Sequence, residues 1–352
     1  MKILGIESSC DDTSATLIDI TKDKINILAE KTASQIEIHK KYGGVVPEIA
    51  GRMHAEKITP LIEEILKEAK IKKPDYIAIA SGPGLITGLL VGVETAKTLS
   101  YLWQIPLVSV NHIEGHIHSV LIPKKNNKGS LTSKVRDFKY PALALIASGG
   151  HTELILIKKQ GKYKKIGATL DDAAGECFDK AAKILNLEYP GGPKISKHAE
   201  TGNPKAINFP RPMLNKNNFD FSFSGLKTSA LYWLRDNNPK QSKLEPKILA
   251  DFCASFEQAI VDVLVKKTLK ATLKHKPKTI ILGGGVSANK KLRKTLETEI
   301  SKLTPTPLLL IPPTAYCMDN ATMIAVASYY KAKNKKFTKW NKLQANPNWE
   351  IL

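Results

Sequence analysis

The stretch "NHIEGHIHS", residues 111–119, holds three histidines and one glutamate. His112 and His116 are four residues apart, so on a helix both imidazoles lie on one face. Such a pair can supply two nitrogen ligands to a divalent metal. In the zinc-protease motif a glutamate base directly follows the first histidine, whereas here Ile113 does and Glu114 comes one step later. The spacing therefore allows a metal site without a protease's base. The alternative is a pair of histidines on a helix surface.

Asp319 is the best candidate for a third ligand. It follows the apolar run at 308–313 and opens the helical pattern "NATMIAVASYY". An acidic residue at such a position either caps the helix or points into a cleft as a ligand. Two histidines and one carboxylate leave coordination positions open, which suits catalysis better than a structural role.

Two glycine-rich segments predict close contact between backbone and a ligand. They are "SGGHTEL" at 148–154 and "GGGVSAN" at 283–289. Glycine lets a backbone approach a ligand closely, and the hydroxyls of Ser148 and Thr152 and the amide of Asn289 can bond phosphate or ribose. An ordinary strand-to-helix turn is the alternative for each segment.

Carboxylates gather at two further places. Asp171, Asp172 and Glu176 crowd the start of a helix, with Asp179 a turn further in. They either complement the helix dipole or include a ligand for ribose hydroxyls. The turn "ESSCDDT" carries Asp11 and Asp12, where actin-like enzymes keep a carboxylate near the reacting phosphate.

These residues lie on a pattern that occurs twice. Period-2 runs predict hairpins at 2–20 and 142–157, and each is followed by a buried strand, a glycine-rich loop and a helix, at 76–103 and 279–300. Glycine loops at helix starts are typical phosphate cradles. We therefore predict an α/β chain with the duplicated actin-like ATPase (ASKHA) fold, in which two similar lobes surround a nucleotide cleft.

The same pattern predicts the domain bounds. The first lobe covers 1–123 and is completed by a helix at about 319–333. The second lobe covers 140–318, and a polar connection at 124–139 joins the two. A basic tail at 334–352 follows. A long helix or helix pair at 246–275 carries an apolar stripe that we assign to the core: Leu249, Phe252, Phe256, Ile260, Val263 and Leu264.

Composition bounds the class of protein. The 352 residues are 42% hydrophobic, which is enough for two lobes with real cores. The formal charge of +20 makes a polyanionic partner plausible, nucleic acid first, although lysine used as a general solvating residue is an equal alternative. The four cysteines form no CxxC pair, which favours reduced thiols and a cytoplasmic location. We expect neither a signal peptide nor a membrane span.

Ten segments of the chain, in order, resemble the TsaD family of tRNA threonylcarbamoyladenosine transferases, once called O-sialoglycoprotein endopeptidases (Gcp). The resemblance runs from about residue 1 to 330, and "KYGGVVPEIA" and "FSFSGLKT" resemble the bacterial form. The segments are "GIESSCDDTSATLID", "KYGGVVPEIAGRMH", "SGPGLITGLLVG", "NHIEGHIHS", "ASGGHTEL", "GECFDKAAK", "YPGGP", "FSFSGLKT", "GGGVSAN" and "DNATMIA".

The resemblance implies roles for particular residues. His112, His116 and Asp319 match the family's metal ligands, with Fe²⁺ the usual ion and Zn²⁺ the alternative, and Asp11 matches a carboxylate thought to act in catalysis. This chain has "CDDT" where the family has "CDET", and Met318 precedes Asp319 in place of a small polar residue. The positions that match the binding site for threonylcarbamoyl-AMP are Ile146, Ala147, Ser148, Gly149, Gly150, Asp179, Gly192 and Asn289.

The resemblance also implies a reaction and partners. The family transfers threonylcarbamoyl from its AMP anhydride to N6 of the adenosine just 3′ of the anticodon, in tRNAs that read codons beginning with A. Implied partners are the tRNA anticodon arm, a TsaB-like paralogue and a TsaE-like ATPase. Three rival functions remain: an ATPase or small-molecule kinase of the same fold, a metalloprotease, and a non-catalytic scaffold.

Overall fold

A computed structural model describes residues 1–123, 132–134, 138–238 and 244–351. Most of the polar connection expected at 124–139 thus lies outside the described residues. The chain divides into two compact units. The first unit comprises Met1–Asp137 and Pro312–Ile351, and the second comprises Phe138–Ile311.

Both units begin with three consecutive strands, which helices and further strands follow. The strands are β1 Lys2–Glu7, β2 Asp12–Thr21, β3 Lys24–Ser34, β4 Tyr76–Gly82, β5 Leu107–Asn111, β6 Thr132–Lys134, β7 Ala142–Ala147, β8 Thr152–Lys159, β9 Lys162–Ala168, β10 Thr279–Gly283 and β11 Leu308–Leu310. The helices are α1 Ile36–His39, α2 Pro47–Glu68, α3 Ile86–Trp103, α4 His112–His118, α5 Ala174–Ile184, α6 Gly191–Ala199, α7 Ser224–Asn237, α8 Pro246–His275, α9 Lys290–Ser301 and α10 Ala321–Lys333.

The sheet of the first unit has the strand order β5-β4-β1-β2-β3-β6. β1, β4 and β5 run parallel, while β2, β3 and β6 extend the sheet in antiparallel fashion. All seven residues of β4 are buried, as expected of a parallel strand covered on both faces. The carboxyl ends of β1, β4 and β5 therefore lie along one edge of this sheet.

The sheet of the second unit repeats that topology with the order β11-β10-β7-β8-β9. Here β7, β10 and β11 are parallel and β7, β8 and β9 antiparallel. The predicted α/β duplication is confirmed strand by strand. The sequence indicated each hairpin but not its third strand, because β3 and β9 are lysine-rich and lack a clean period of two.

The apolar stripe at 246–275 belongs to one 30-residue helix, α8. Phe252, Phe256 and Ile260 are fully buried in the core of the second unit, and Leu249 packs against it partly buried. The assignment of this stripe to the core is therefore confirmed. All four cysteines are free thiols. Among the described residues, no helix has the length and hydropathy needed to cross a membrane.

Candidate functional site

The shared edge of β1, β4 and β5 positions the histidine pair. Asn111 is the last residue of β5, and its Oδ1 accepts hydrogen bonds from the backbone N–H groups of Ile113 at 2.9 Å and Glu114 at 3.3 Å. This cap starts α4 at His112 directly beyond the strand. All seven residues of α4 are buried, so the alternative of a surface histidine pair is wrong.

Close packing of α10 brings Asp319 beside α4. A Cβ on Gly5 of β1 would lie 2.5 Å from the Ala321 carbonyl oxygen, so only glycine lets the start of α10 sit this near the sheet. Asn320 caps α10, because its Oδ1 accepts from the Met323 N–H at 2.8 Å. Capping therefore falls to Asn320, and the Asp319 carboxylate faces the histidines instead.

Three potential ligand atoms meet at this place. The Asp319 Oδ1 atom lies 3.5 Å from His112 Nε2 and 3.2 Å from His116 Nε2. One donor atom from each of the three residues lies within 4.8 Å of the others, which is a spacing that could hold a metal ion. The Asp319 side chain is 21% exposed while both histidines are buried. The cluster is thus enclosed on the histidine side and accessible from the carboxylate side.

Glu7 fixes the orientation of His112. The buried Glu7 Oε2 lies 3.0 Å from His112 Nδ1, and the Ser9 Oγ lies 3.0 Å from the same nitrogen. Glu7 Oε1 accepts the Ser9 backbone N–H at 2.6 Å. A carboxylate at Nδ1 favours the tautomer with its proton there, which leaves Nε2 to face Asp319 as a ligand. Sequence reasoning missed Glu7; the signal was a charged residue ending a buried strand.

His116 supplies the test of whether a metal fits. Both of its ring nitrogens are buried and neither has a hydrogen-bond partner of good geometry, despite the nearby Asp319 oxygen. A buried polar atom left without a partner is costly, and such atoms are rare in folded proteins. A metal ion held by His112, His116 and Asp319 would give the His116 Nε2 atom a partner, so these residues fit a metal ion.

The pKa shifts of the titratable groups around this cluster also favour a bound cation. Burial lowers the pKa of His112, but the negative charges of Asp319 and Glu7 outweigh it and raise that pKa to about 9. Burial also lowers the pKa of His116. Burial first, and then the charge of Asp319, raises the pKa of Asp11. Asp11 and Asp319 repel each other, and a bound cation would reduce that repulsion.

The glycine segments of the second unit lie on neighbouring strands. Ile146 and Ala147 end β7, and Ile146 pairs with Gly283 of β10. A Cβ on Gly284 would lie 2.4 Å from the Ala147 carbonyl oxygen, so the two loops touch. Ser148 closes its turn by accepting the His151 N–H, and the positions Gly149 and Gly150 have open space around them.

Asp179, Gly192 and Asn289 meet around α6. Asp179 Oδ1 accepts the Gly191 N–H at 2.7 Å, which fixes the start of that helix beside Gly192. The Asn289 amide donates to Ser196 Oγ at 3.0 Å and to Glu257 Oε1 at 2.6 Å, while its oxygen caps α9. Sequence reasoning missed the buried Glu257, which no motif marks.

All three carboxylates at 171–176 have partners nearby. Asp171 accepts hydrogen bonds from the hydroxyls of Ser222 and Ser224 and from the Phe223 N–H, at the start of α7. Asp172 and Glu176 both pair with Lys180, at 2.6 Å and 2.8 Å. These contacts favour the structural alternative for all three residues.

The chain has a duplicated, actin-like α/β fold, and two histidines and one carboxylate meet beyond the carboxyl ends of its parallel strands. This combination differs from the zinc-protease motif. The chain belongs to the TsaD family, tRNA N6-adenosine threonylcarbamoyltransferase, whose model matches residues 26–326. It is 45% identical over 350 residues to the tRNA N6-adenosine threonylcarbamoyltransferase of Listeria monocytogenes serotype 4b, covering 98% of this chain and 95% of that protein. The Bacillus subtilis protein of the same name is 46% identical over 329 residues, covering 93% and 89%.

A solved structure supports the fold alone. HypF from T. kodakarensis superposes with a TM-score of 0.60 at 13% identity, over 95% of this chain and 48% of HypF. This chain thus spans about half the length of HypF.

Proposed function

We propose that this chain transfers the threonylcarbamoyl group of threonylcarbamoyl-AMP to N6 of the adenosine just 3′ of the anticodon, in tRNAs that read codons beginning with A. The observation that carries the proposal is 45% identity over nearly the full length of a tRNA N6-adenosine threonylcarbamoyltransferase. The charge of +20 suits a tRNA substrate.

His112, His116 and Asp319 are proposed to hold one divalent ion per chain, with Fe²⁺ first and Zn²⁺ as the alternative. Two imidazoles and one carboxylate with open positions are the donor set of mononuclear ferrous sites. When bound, such an ion supplies Lewis-acid polarisation of substrate oxygens. Glu7 keeps the His112 Nε2 atom turned toward Asp319, and burial of both rings excludes water from that side.

Asp11 is proposed as the group that handles the proton. The exocyclic amine of adenine donates its lone pair into the ring, so it attacks the acyl carbon poorly until its N–H proton has an acceptor. An Asp11 carboxylate oxygen can accept that proton as the N–C bond forms and AMP leaves. Burial raises the Asp11 pKa, which makes its carboxylate a better base.

The second unit is proposed to bind the donor. At Ile146–Gly150 the glycines leave the backbone uncovered, which suits close approach of the AMP moiety. Asp179 and Asn289 are engaged in holding α6, so we assign them to positioning Gly192 and its neighbours.

The lobes at 1–123 with 319–333 and at 140–318, and the basic tail at 334–352, are proposed from the duplicated pattern of the sequence. Location and partners are proposed from family membership. The enzyme works in the cytoplasm with a TsaB-like paralogue and a TsaE-like ATPase.

The test supplies purified threonylcarbamoyl-AMP and unmodified tRNA, with ATP and the TsaB-like and TsaE-like partners, to the wild type and to Asp11→Ala, and it measures ATP turnover on this chain alone. The wild type is expected to form threonylcarbamoyladenosine, and Asp11→Ala to lose turnover far more than donor affinity. Equal losses in both would contradict the base assignment. ATP turnover without tRNA, and no transfer by the wild type, would instead favour the kinase or ATPase.

A further inference from the structure

The second unit contains an open basic cavity of about 420 Å³, which none of the predicted donor-binding residues lines. β9, the loop at 217–219 and the last turns of α8 line it. No carboxylate is among the described residues that line it. The lining residues used below, here called the basic cavity, are Lys164, Lys165, Asn218, Phe219, Lys274 and His275.

The walls of the basic cavity are held in place by hydrogen bonds. The buried Lys267 donates from Nζ to the backbone oxygen and Oδ1 of Asn218, at 3.0 Å and 3.1 Å. Lys270 donates from Nζ to the Lys216 carbonyl oxygen at 2.8 Å. Two lysines of α8 thus tie the 217–219 loop to the helix, so the cavity is a built feature of this unit.

The Phe219 ring and the His275 Nε2 atom complete the basic cavity. Lys274 Nζ lies 5.3 Å from the Phe219 ring centroid, and the His275 ring lies 5.6 Å from it. His275 Nε2 is buried and has no hydrogen-bond partner. Burial first, and then the positive charges of Lys274 and Lys164, lowers the pKa of His275.

Complementing a helix dipole does not explain this charge. Cations in the last turn of α8, such as Lys274, are commonly found at helix carboxyl ends. Lys164 and Lys165 belong to β9, however, where no such dipole acts. Lys165 pairs with Glu153 at 3.8 Å, whereas Lys164 and Lys274 are exposed at the rim.

We propose that the basic cavity binds phosphate groups of an RNA backbone, as a contact for the tRNA substrate outside the reacting adenosine. This inference rests on the proposed function for the choice of RNA. Lysines act as point charges that position a phosphate backbone without reading its sequence. Their spread over three segments suits successive phosphates of a strand better than a single free anion.

The test compares tRNA binding by the full chain and two double variants. Lys164→Ala/Lys274→Ala removes two charges from the basic cavity. Lys205→Ala/Lys294→Ala removes two exposed charges of the same unit outside it. The cavity variant is expected to bind unmodified tRNA roughly 5- to 50-fold more weakly, with the slope of log affinity against log salt reduced by about 1.5. The control is expected to stay within about twofold of the wild type.

Two further readouts separate this inference from the proposed function. If the wild type catalyses transfer, the cavity variant should show a raised KM for tRNA with kcat retained. If it catalyses none, the proposed function fails while the binding comparison still decides the cavity. Equal tRNA affinity for both double variants overturns the inference, as does no tRNA binding by the wild type. Loss of pyrophosphate binding with unchanged tRNA affinity also overturns it, in favour of a free-anion site.

Discussion

His112 can serve as a ligand because its other nitrogen is already engaged. Glu7 sits at the end of β1 and reaches His112 Nδ1 at 3.0 Å across 105 residues of sequence. A carboxylate behind a ligating histidine fixes the ring and makes its free nitrogen more basic. In the metal-free protein the raised pKa of His112 also means that a metal must displace a proton.

Glu7→Gln is therefore expected to weaken metal binding about 10- to 100-fold with the fold intact. The amide keeps the size of the side chain but removes the charge that orients and polarises the ring. Competition with a chelator of known affinity measures the change. Glu64→Gln, which alters only an exposed pair with Lys31, serves as the control. Equal affinities for both variants would show that Glu7 does not support the site.

The partly buried Asp12 carboxylate lowers the free energy of unfolding at neutral pH. Its Oδ1 is buried without a hydrogen-bond partner, and burial raises its pKa to about 6. Because the folded state holds this proton more tightly than the unfolded chain, the cost is absent below about pH 4, grows between about pH 4 and 6, and is constant above that range. Asp12→Asn is thus expected to stabilise the metal-free protein by about 1–3 kcal/mol at pH 7.5 and by less than half of that at pH 4.5.

Urea unfolding of chelator-treated protein at the two pH values measures this difference. Asp171→Asn is the opposite control, because hydrogen bonds from Ser222, Ser224 and the Phe223 N–H lower the Asp171 pKa against the effect of burial. That variant should lose stability at neutral pH. A destabilised Asp12→Asn at pH 7.5 would contradict the account.

Residue types and spacing reveal part of this site in advance. The His112 and His116 spacing fixes one helix face, and an acidic residue before a helix marks Asp319. Glu7 and Glu257 escape such reasoning because their partners are distant in sequence and lie in no common motif. Tertiary contacts alone give those carboxylates their roles.

At the scale of elements, the packing of α10 on β1 decides where Asp319 stands. Most of α10 is buried, and the small side chains of Ala321 and Ala325 let its first turns approach β1 closely. Gly5 provides the space for the Ala321 carbonyl. The close approach of α10 to β1 thus depends on Gly5 having no side chain.

Gly5→Ala is expected to lower the free energy of unfolding by about 1–3 kcal/mol, because the new methyl meets a backbone oxygen that cannot turn aside. It should also weaken metal binding, since α10 must move and carry Asp319 with it. Gly225→Ala in α7 is the control: nothing lies within 4 Å of its Cβ position, so it should be neutral or slightly stabilising. Urea unfolding measures the change in stability, and metal titration measures the change in affinity. Unchanged metal affinity in a destabilised Gly5→Ala would separate packing from ligand placement.

Element prediction succeeds where local pattern and burial agree. The hairpins and the parallel strands β4 and β10 follow from period and apolar runs, and the α8 stripe follows from helical spacing. β3 and β9 fail because strands near a sheet edge bury little, so their sequences keep lysines and lose alternation.

At the scale of the whole molecule, duplication explains where the three proposed metal ligands lie in the chain. β5 and β11 are the fifth strands of the two repeats. His112 and His116 follow β5, and Asp319 follows β11. Corresponding positions of the two repeats thus supply all three proposed ligands, although both segments belong to the first unit.

The basic tail is packed rather than free along part of its length. The Asn346 N–H donates to the Ser81 carbonyl at 2.7 Å, and Asn111 Nδ2 donates to the Trp349 carbonyl at 3.0 Å. Ile351 is buried. Because Asn111 also caps α4, the tail supports the helix that carries His112 and His116.

Truncation after Ala345 is accordingly expected to cost about 2–4 kcal/mol, from lost hydrogen bonds and the lost burial of Ile351. Metal affinity should fall with it. Urea unfolding and chelator competition measure both quantities, and Asn348→Ala, an exposed change in the same segment, should alter neither appreciably. A truncated chain as stable as the full one would show that the tail is dispensable.

The most direct test of the central claim is nucleoside mass spectrometry of unmodified tRNA incubated with threonylcarbamoyl-AMP, ATP, the TsaB-like and TsaE-like partners and each protein. The proteins are the wild type, His112→Ala/His116→Ala, the nearly isosteric Asp319→Asn, and the exposed control Asp236→Asn. The account predicts threonylcarbamoyladenosine with the wild type and Asp236→Asn, and a loss of at least about 100-fold with both ligand variants. Equal product from Asp319→Asn, shown by circular dichroism to be folded, would contradict a catalytic role for the three-residue cluster.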